Sequence, residues 1–443
     1  AADIARDFPM HRLLQGEVGS GKTVVAVRAM LAVADTGGQS ALLAPTEVLA
    51  AQHFRAISAL LGPLAERGQL GGADTSTRVV LLTGSQTTAQ RRAALLAAAS
   101  GEAGIVVGTH ALIQDVVQFA ELGLVVVDEQ HRFGVHQRDA LRAKGRDAAP
   151  HLLVMTATPI PRTVAMTVFG DLDVSELREL PAGRSPIQSY VVPPEHPKYA
   201  PRMWQRVRDE VAAGRQVYVV CARIGDKVSD EDAPADDDDR IPAAAVVDVL
   251  PLLAEGELKG LRVDALHGRM TPDDKDAVMQ AFARGHLDVL VATTVIEVGV
   301  DVPNATVMVV LDANRFGISQ LHQLRGRVGR GSAQGWCFLQ TGMPAGTVAR
   351  DRLDAVAATL DGFELARVDL ELRREGDVLG ASQSGRGSLH FLQLSKDAEV
   401  IAAARTEATA LVESDPTLAD HPALAEAIAA SFDDDRAEYL ERA

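Results

Sequence analysis

The sequence predicts two tandem α/β domains with parallel sheets, followed by a helical C-terminal region. Short β-rich runs alternate with amphipathic Ala- and Leu-rich stretches in two separate blocks, and the strand pattern fades after about residue 345. Residues 181–186, which read PAGRSP, interrupt the alternation and are interpreted as the linker. We therefore expect one domain at 1–183, a second at 184–345, and a helical region at 346–443.

The individual strands follow from runs that are apolar throughout, which is typical of parallel strands buried on both faces. In the first block they are predicted at 11–15, 40–44, 79–83, 104–108, 124–128 and 152–156. In the second block they are predicted at 216–222, 263–267, 289–293, 306–311 and 336–340, with helices such as 271–284 and 319–325 between them.

Composition narrows the class of protein. A length of 443 residues with 47% hydrophobic side chains suits two packed cores and an appendage. The two cysteines, Cys221 and Cys337, form no CxxC pair, which argues against zinc and disulfides and favours a reducing cytoplasm. No window reaches the ~18 uninterrupted apolar residues of a membrane helix, and residues 1–10 contain no signal-peptide core.

The net charge of −16 is unusual for a protein that binds nucleic acid, but it is unevenly distributed. Residues 230–240 contain seven acids and Arg240, and residues 413–443 contain nine acids and two arginines. These two segments carry a net charge of −13, which leaves about −3 for the rest of the chain. Charge therefore neither supports nor excludes DNA binding, and the run 236–239 is expected to be a solvated loop.

A phosphate-binding loop is predicted at residues 16–23, which read GEVGSGKT and lie between a predicted strand and a predicted helix. Its glycines let backbone N–H groups converge on phosphate oxygens, and the helix N-terminus adds partial positive charge. Lys22 is expected to reach the β- and γ-phosphates of ATP, and the Thr23 hydroxyl to ligate Mg²⁺. The predicted nucleotide contacts are Gly16, Gly19, Ser20, Gly21, Lys22 and Thr23.

Two carboxylates, Asp128 and Glu129, follow the apolar strand predicted at 124–128. Asp128 is expected to hold the Mg²⁺ ion, and Glu129 to polarise the attacking water. An Asp-Glu pair at a strand end is common by itself. Because a phosphate loop is predicted in the same domain, we interpret this pair as part of a site that hydrolyses ATP.

A basic run, Arg325-Gly-Arg-Val-Gly-Arg330, lies in the second predicted domain. An arginine there can stabilise charge on the γ-phosphate only if both domains close on one nucleotide, and such a finger contributes ~10³–10⁵ in rate. Taken alone, the run reads equally well as a solvated basic helix. With the other motifs it predicts Arg327 and Arg330 as catalytic arginines.

Together these motifs resemble those of superfamily-two helicases, in order and across residues 11–340. Motifs I, Ia, Ib, II and III match residues 16–23, 45–48, 108–110, 128–131 and 156–159, and motifs IV, V and VI match 266–270, 292–301 and 320–330. The resemblance implies tandem RecA-like domains that use ATP with Mg²⁺. It also implies nucleotide contacts from Gly299 and Asp301, and coupling roles for Gln130, His131, Thr156 and Gln323.

The same resemblance implies contacts to the DNA backbone from Thr46, Thr109, Thr293 and Thr294. Short hydroxyls and backbone N–H groups hold phosphate without reading bases, which suits a motor that must pass any sequence. Each of these threonines also reads as an ordinary strand-end or turn residue. Trp204 and Trp336 are expected to pack in a core or an interface rather than to stack on bases.

Within the superfamily, the sequence is most similar to the RecG family. The shared features are residues 10–16, Ser20, the Asp-Glu-Gln-His form of motif II, and Leu-His-Gly-Arg-Met at 266–270. This implies a double-stranded DNA translocase that remodels stalled replication forks and Holliday junctions in recombination and repair, in the nucleoid. The implied partners are branched duplex DNA and single-stranded DNA-binding protein.

Part of the C-terminal region resembles the translocation hairpin that RecG shares with Mfd, the transcription-repair coupling factor. The matching segments are residues 361–365, 369–373, 376–380 and 383–385. By this resemblance, Arg373 and Gln383 couple movement of the domains to movement of DNA.

The sequence departs from the family pattern at three points. Glu17 replaces the usual Asp, and Arg374-Glu375 replaces the usual Gly-Pro. The adenine-contacting Q motif and the N-terminal wedge domain of RecG have no counterpart in these residues. We therefore expect a fragment of a longer protein.

Three alternative functions account for less of the sequence. An Mfd-like motor that pushes RNA polymerase shares most of these motifs. A P-loop switch that signals without translocating requires neither the second-domain arginines nor the hairpin. A purely structural or binding module explains none of the catalytic spacing.

Overall fold

The computed structural model describes residues 2–6, 8–65, 76–129, 149–157, 172–179, 186–224, 244–294, 302–372 and 397–431. These residues form two compact units. The first comprises the described residues of Ala1–Gly16, Gly21–Leu177 and Arg373–Ala443, and the second those of Glu17–Ser20 and Arg178–Leu372. Each unit is built on one parallel sheet, so the predicted fold class is confirmed.

The strands of the first unit are β1 (His11–Gly16), β2 (Gln39–Leu43), β3 (Arg78–Leu82), β4 (Ala103–Gly108), β5 (Leu122–Asp128), β6 (His151–Thr156) and β7 (Asp173–Leu177). Among the described residues they form a seven-stranded sheet in the order β3-β4-β2-β5-β6-β1-β7. All adjacent pairs are parallel. Every residue of β2 and β4 is buried, as the continuous apolar runs predict.

The strands of the second unit are β8 (Gln188–Val192), β9 (Gln216–Val220), β10 (Val263–Leu266), β11 (Val289–Ala292), β12 (Ala305–Val310) and β13 (Trp336–Gln340). In the described part of this unit they form a six-stranded parallel sheet in the order β10-β11-β9-β12-β13-β8.

The described helices, in chain order, are α1 (Lys22–Asp35), α2 (Glu47–Leu61), α3 (Thr88–Ala99), α4 (Tyr199–Ala212), α5 (Val246–Glu255), α6 (Pro272–Ala283), α7 (Ile318–Arg325), α8 (Val348–Ala358), α9 (Gly362–Leu372), α10 (Ala398–Ser414) and α11 (Pro422–Ser431). Short 3-10 turns occur at Asp3–Ala5, Gly62–Ala65, His110–Ile113 and Ala313–Arg315. Threonine side chains cap several of the helices, which satisfies N–H groups that a helix cannot bond internally.

Each sheet buries both faces, because consecutive strand residues point to opposite sides. In the first unit, Leu13 and Leu43 pack in one core and Leu14 and Leu42 pack in the other. The second unit repeats this arrangement along β9, β11 and β12. Trp204 lies in one of its cores, and the guanidinium carbon of Arg206 lies 4.4 Å from the ring centroid of Trp336, so both tryptophans pack as expected.

Both cysteines are buried and free, in agreement with the absence of a predicted disulfide. Burial raises the pKa of Cys221 and Cys337 to about 12, so these thiols are inert core residues near neutral pH.

The segment Glu47–Ala65 is, by length and composition only, the one described helical stretch apolar enough to cross a membrane. It consists of α2 and the following 3-10 turn. Ala50, Ile57 and Leu61 are 0%, 0% and 7% exposed and pack in the core of the first unit. One face of the segment therefore packs in the core of the first unit.

The structure adds two strands to those that the sequence predicts, and it divides the predicted helical region between the two units. β7 (DVSEL) and β8 (QSYVV) were missed because they are edge strands with partly exposed, polar residues rather than apolar runs. α8 and α9 belong to the second unit, whereas α10 belongs to the first, where Arg405 donates to the Leu172 carbonyl at 2.9 Å. The proposed domain limits at 183 and 345 stay predictions, and most of the linker lies outside the described residues.

Gln39, the first residue of β2, joins four backbone groups although it is only 1% exposed. Its amide nitrogen donates to the carbonyls of Ala98 (2.9 Å) and Ala103 (2.7 Å). Its amide oxygen accepts from the N–H groups of Ala120 (2.7 Å) and Glu121 (3.1 Å). This side chain satisfies polar groups of two different connections at the amino edge of the sheet, the turn from α3 to β4 and the segment before β5.

We expect Gln39→Leu to lower the free energy of unfolding by about 2–4 kcal/mol, because the substitution leaves buried backbone groups without partners. Urea unfolding followed by circular dichroism measures this change. The matched control is Gln205→Leu, an exposed site whose side chain, among the described residues, bonds only to Asp209 one turn along α4. Equal shifts for the two variants would show that the buried bonds of Gln39 contribute nothing specific.

Candidate nucleotide site

The candidate site lies at the carboxyl edge of the first sheet, the edge at which open parallel sheets bind ligands. β1 leads into the phosphate loop at Gly16, and β5 ends at Asp128. β6 separates these strands, with Gln15 opposite Thr156 and Asp128 opposite Met155. Because neighbouring strands are about 4.8 Å apart, Gly16 and Asp128 lie roughly 10 Å apart along this edge.

The phosphate loop requires glycine at two positions. Gly19 and Gly21 have φ values of 86° and 90°, a backbone conformation that residues with a Cβ rarely adopt. The Ser20 N–H donates to the Glu17 carbonyl at 3.0 Å, and the Lys22 Nζ donates to the Gly16 carbonyl at 2.8 Å. α1 begins at Lys22, so the N-terminus of a 14-residue helix follows the loop directly, an arrangement that binds phosphate.

Glu129 lies in a strained position immediately after β5. Its φ is 56°, which places a residue with a side chain in the left-handed region at a cost of roughly 1–2 kcal/mol. Strain of this kind persists where the surrounding structure enforces it, and it is concentrated at functional sites. The backbone conformation of Glu129 therefore agrees with the role that the sequence predicts for it.

Asp128 has a partner that sequence reasoning missed. The Nε2 atom of His53, on α2, lies 2.7 Å from the Asp128 Oδ2 atom. Their side chains are only 13% and 14% exposed. No spacing rule links residues 75 positions apart, so only the sheet order, which makes β2 and β5 neighbours, could have suggested this pair.

A second set of hydrogen bonds, within the unit that contains Glu17–Ser20, involves the Glu17 carboxylate. The Glu17 carboxylate accepts from the His322 Nε2 atom and from the Gly362 N–H group, each at 2.7 Å. Burial raises the pKa of Glu17, but these bonds and the positive charge of Arg325 outweigh it and hold the pKa below its usual value. Glu17 is therefore an ionised acceptor at neutral pH.

Arg325 determines which nitrogen of His322 carries the proton. Arg325 donates to the His322 Nδ1 atom at 2.8 Å, so Nδ1 must accept and Nε2 donates to Glu17. Arg325 is 2% exposed and also donates to the carbonyls of Val356 (2.5 Å) and Thr359 (2.7 Å). It thereby ties α7 to the C-terminal end of α8 and to Thr359, which follows that helix, a role that the sequence did not predict.

The predicted catalytic arginines follow α7. The Arg330 Nε atom donates to the Gly326 carbonyl at 2.9 Å, and Gln323 is buried within α7. Thr156 is buried at the end of β6. The remaining predicted contacts lie outside the described residues: Gln130, His131, Gly299, Asp301, Arg373 and Gln383.

The threonines predicted to contact DNA all follow strand ends. Thr46 caps α2 and Thr109 caps a 3-10 turn, and they follow neighbouring strands, with Leu43 opposite Gly108. Thr109 and Thr293 are 1% and 6% exposed, whereas Thr46 and Thr294 are partly exposed. Their contact with DNA stays a prediction.

Comparison with known proteins identifies the family. Family models match at residues 6–167 (DEAD/DEAH box helicase), 241–332 (helicase conserved C-terminal domain) and 359–427 (ATP-dependent DNA helicase RecG, domain 3, C-terminal). The chain is 56% identical over 442 residues to the ATP-dependent DNA helicase RecG of Mycobacterium tuberculosis, which covers 99% of this chain and 59% of that protein. The chain belongs to the RecG family.

Further similarities agree with this assignment. The Bacillus subtilis RecG is 45% identical over 94% of this chain and 57% of its own length. A solved structure of RecG bound to a three-way DNA junction is similar over 90% of this chain and 48% of that one, with 37% identity and a TM-score of 0.69. The Mycobacterium smegmatis helicase Lhr, at 19% identity and a TM-score of 0.56, supports the fold alone, covering 80% of this chain and 47% of its own.

The chain spans about three-fifths of the length of the curated relatives that it matches. The RecG-specific model matches residues 359–427, a range that includes residues 361–385, where the sequence predicts the translocation hairpin. These matches favour the RecG reading over the Mfd-like alternative.

Two substitutions separate nucleotide binding from hydrolysis. We expect Lys22→Ala to abolish ATPase activity, because the β- and γ-phosphates lose their positive partner. Glu129→Gln should retain binding of a fluorescent ATP analogue while kcat falls by ~10²–10⁴, because the attacking water loses its general base. Steady-state ATPase and equilibrium binding measure the two effects.

The matched control is Glu121→Gln, an exposed carboxylate just before β5, at the opposite edge of the sheet. This variant should retain both binding and turnover. Normal hydrolysis by the Glu129→Gln variant would exclude Glu129 as the base.

Proposed function

We propose that the protein containing this chain is an ATP-dependent double-stranded DNA translocase and helicase. It remodels branched DNA, such as stalled replication forks and Holliday junctions, in recombination and repair. The observation that carries the proposal is a complete phosphate loop and an Asp-Glu pair on one sheet edge, in a chain 56% identical to a RecG helicase. The RecG structure bound to a three-way DNA junction supports branched DNA as the substrate.

Hydrolysis is proposed to proceed by attack of a water molecule on the γ-phosphorus of ATP, which breaks the bond to the β,γ-bridging oxygen and releases ADP and inorganic phosphate. Lys22 holds the β- and γ-phosphates, Glu129 accepts the proton of the water, and Arg327 and Arg330 stabilise the charge that develops. The Thr23 hydroxyl and the Asp128 carboxylate are the hard oxygen ligands that Mg²⁺ prefers, so these residues fit that cation. When bound, Mg²⁺ neutralises charge on the phosphates.

We propose that residues after strand ends in both units bind the phosphates of the DNA backbone. Thr46 and Thr109 follow β2 and β4, and Thr293 and Thr294 follow β11. Contact with phosphates alone permits movement along any sequence. Coupling of hydrolysis to movement is assigned to Gln130, His131, Thr156, Gln323, Arg373 and Gln383, with Gly299 and Asp301 as further nucleotide contacts.

The proposed partners and location follow from this activity. Branched duplex DNA is the substrate, single-stranded DNA-binding protein is a partner at forks, and an N-terminal wedge domain of the same polypeptide recognises the branch. The protein is proposed to act in the cytoplasm, in association with the nucleoid. The bacterial origin and greater length of the curated relatives support these assignments.

The function is tested by ATPase activity of the full-length protein on fork, linear duplex and single-stranded DNA, together with unwinding of a labelled fork. Fork DNA should stimulate hydrolysis most and should be unwound in an ATP-dependent manner. Equal stimulation by all three substrates without unwinding would contradict the proposal. Stable binding to RNA polymerase would instead support the Mfd-like alternative.

Coupling provides a sharper prediction. In the full-length protein, Arg373→Ala and Gln383→Ala should retain a substantial fraction of DNA-stimulated ATPase activity while fork unwinding collapses. The reason is that phosphate-loop chemistry does not use these residues. The matched control is Arg367→Ala on α9, whose exposed pair with Glu371 contributes only ~0–1 kcal/mol. A parallel fall of hydrolysis and unwinding, or no fall in either, would exclude the hairpin as the transmission.

A further inference from the structure

We propose that His53 is a positioning residue for the metal-binding carboxylate. Its Nε2–H group bonds one oxygen of Asp128, fixes the rotamer of that side chain, and leaves the other oxygen to face the divalent cation. This inference rests on the proposed function, because it takes Asp128 to be the acidic anchor for Mg²⁺.

The geometry of the pair supports a positioning role. The His53 Nε2 atom lies 2.7 Å from the Asp128 Oδ2 atom, within the range of a charge-assisted hydrogen bond. In the part of the chain that the structure describes, the Asp128 carboxylate accepts one hydrogen bond, from His53, and this bond is to Oδ2. Because a carboxylate only accepts, Nε2 must carry the hydrogen, and Oδ1 remains for a ligand.

The helix that presents His53 is held at several points. Ala50 and Ile57 lie three residues before and four residues after His53, hence on the same face of α2, and both are 0% exposed. The Thr46 hydroxyl accepts from the Leu49 N–H group at the start of the helix. The Glu47 carboxylate accepts from the N–H groups of Gly84 (2.8 Å) and Ser85 (3.2 Å). His53 is therefore presented by a rigid element.

The same helix begins at Thr46, a predicted contact to the DNA backbone. One element thus connects a strand end that is predicted to contact DNA to the carboxylate of the nucleotide site, with six helical residues between Thr46 and His53. Outer partners of metal-binding side chains orient those ligands, and their removal typically costs about 10–100-fold in metal affinity or activity. His53 has the contacts of such a partner.

The test measures the Mg²⁺ dependence of nucleotide binding rather than turnover. The full-length protein is titrated with a fluorescent ATP analogue in EDTA and at increasing MgCl₂. We expect His53→Ala to bind the analogue normally in EDTA, and to require about 10–100-fold more Mg²⁺ for the half-maximal Mg²⁺-dependent effect. His53→Gln, whose amide can still donate to Asp128, should restore part of the affinity for Mg²⁺.

Two further variants make the outcome interpretable. Arg55→Ala should match the parent protein, because Arg55 is exposed on the same helix and, in the part of the chain that the structure describes, its side chain bonds only to the Ala51 carbonyl. His53→Leu preserves apolar volume and replaces His53→Ala if the alanine variant unfolds, as judged by circular dichroism. Equal loss of binding in EDTA and in Mg²⁺ would mean that His53 supports only the fold, and would overturn the inference.

Asp128→Asn separates failure of this inference from failure of the proposed function. If Asp128→Asn leaves the Mg²⁺ dependence unchanged, the proposed metal role of Asp128 is wrong, and the inference falls with it. If Asp128→Asn shifts the Mg²⁺ requirement and His53→Ala does not, only the positioning role of His53 is overturned. A shift in both, with partial rescue by His53→Gln, supports both proposals.

Discussion

The functional geometry of this chain depends on one constraint: the strands of the first sheet are all parallel, so their carboxyl ends meet at one edge. Residues far apart in sequence therefore converge there, with Asp128 and the phosphate loop separated by the single strand β6. A parallel sheet buried on both faces is a rigid support for such a site. The strain at Glu129 is compatible with this support, because the flanking strand fixes the backbone on its N-terminal side.

Most of the fold could be predicted from the sequence because its central strands are apolar on both faces. Eleven predicted strands correspond to observed ones within a few residues. β7 and β8 could not be predicted, because an edge strand has one neighbour and tolerates polar residues such as Glu176 and Gln188. Here tertiary pairing, rather than local hydrophobicity, determines the strand.

The residues of the candidate site also fall into a group that the sequence predicts and a group that it does not. Lys22, Thr23, Asp128 and Glu129 could be predicted because phosphate and metal chemistry requires particular residue types at fixed spacing. His53, His322 and Arg325 could not, because a partner residue needs only to reach its target, and many sequence positions meet that condition. Both histidines contact a carboxylate of the nucleotide motifs, at Asp128 and at Glu17. Sequence motifs thus identify the reacting groups, and packing identifies the groups that orient them.

The hydrogen bonds of Arg325 explain how its buried guanidinium is tolerated in the second unit. A buried charge is costly unless it is paired or fully hydrogen-bonded. Arg325 meets this requirement with two carbonyls and with His322, which in turn bonds the ionised Glu17. Because these carbonyls belong to Val356 in the last turn of α8 and to Thr359 just after it, the bonds that satisfy the guanidinium also connect the motif VI helix to α8, the helix that precedes the predicted hairpin. Loss of the Glu17 carboxylate would leave His322 without its ionised acceptor. The glutamate at position 17, where the family usually has Asp, keeps this negative charge on a side chain that is one methylene longer.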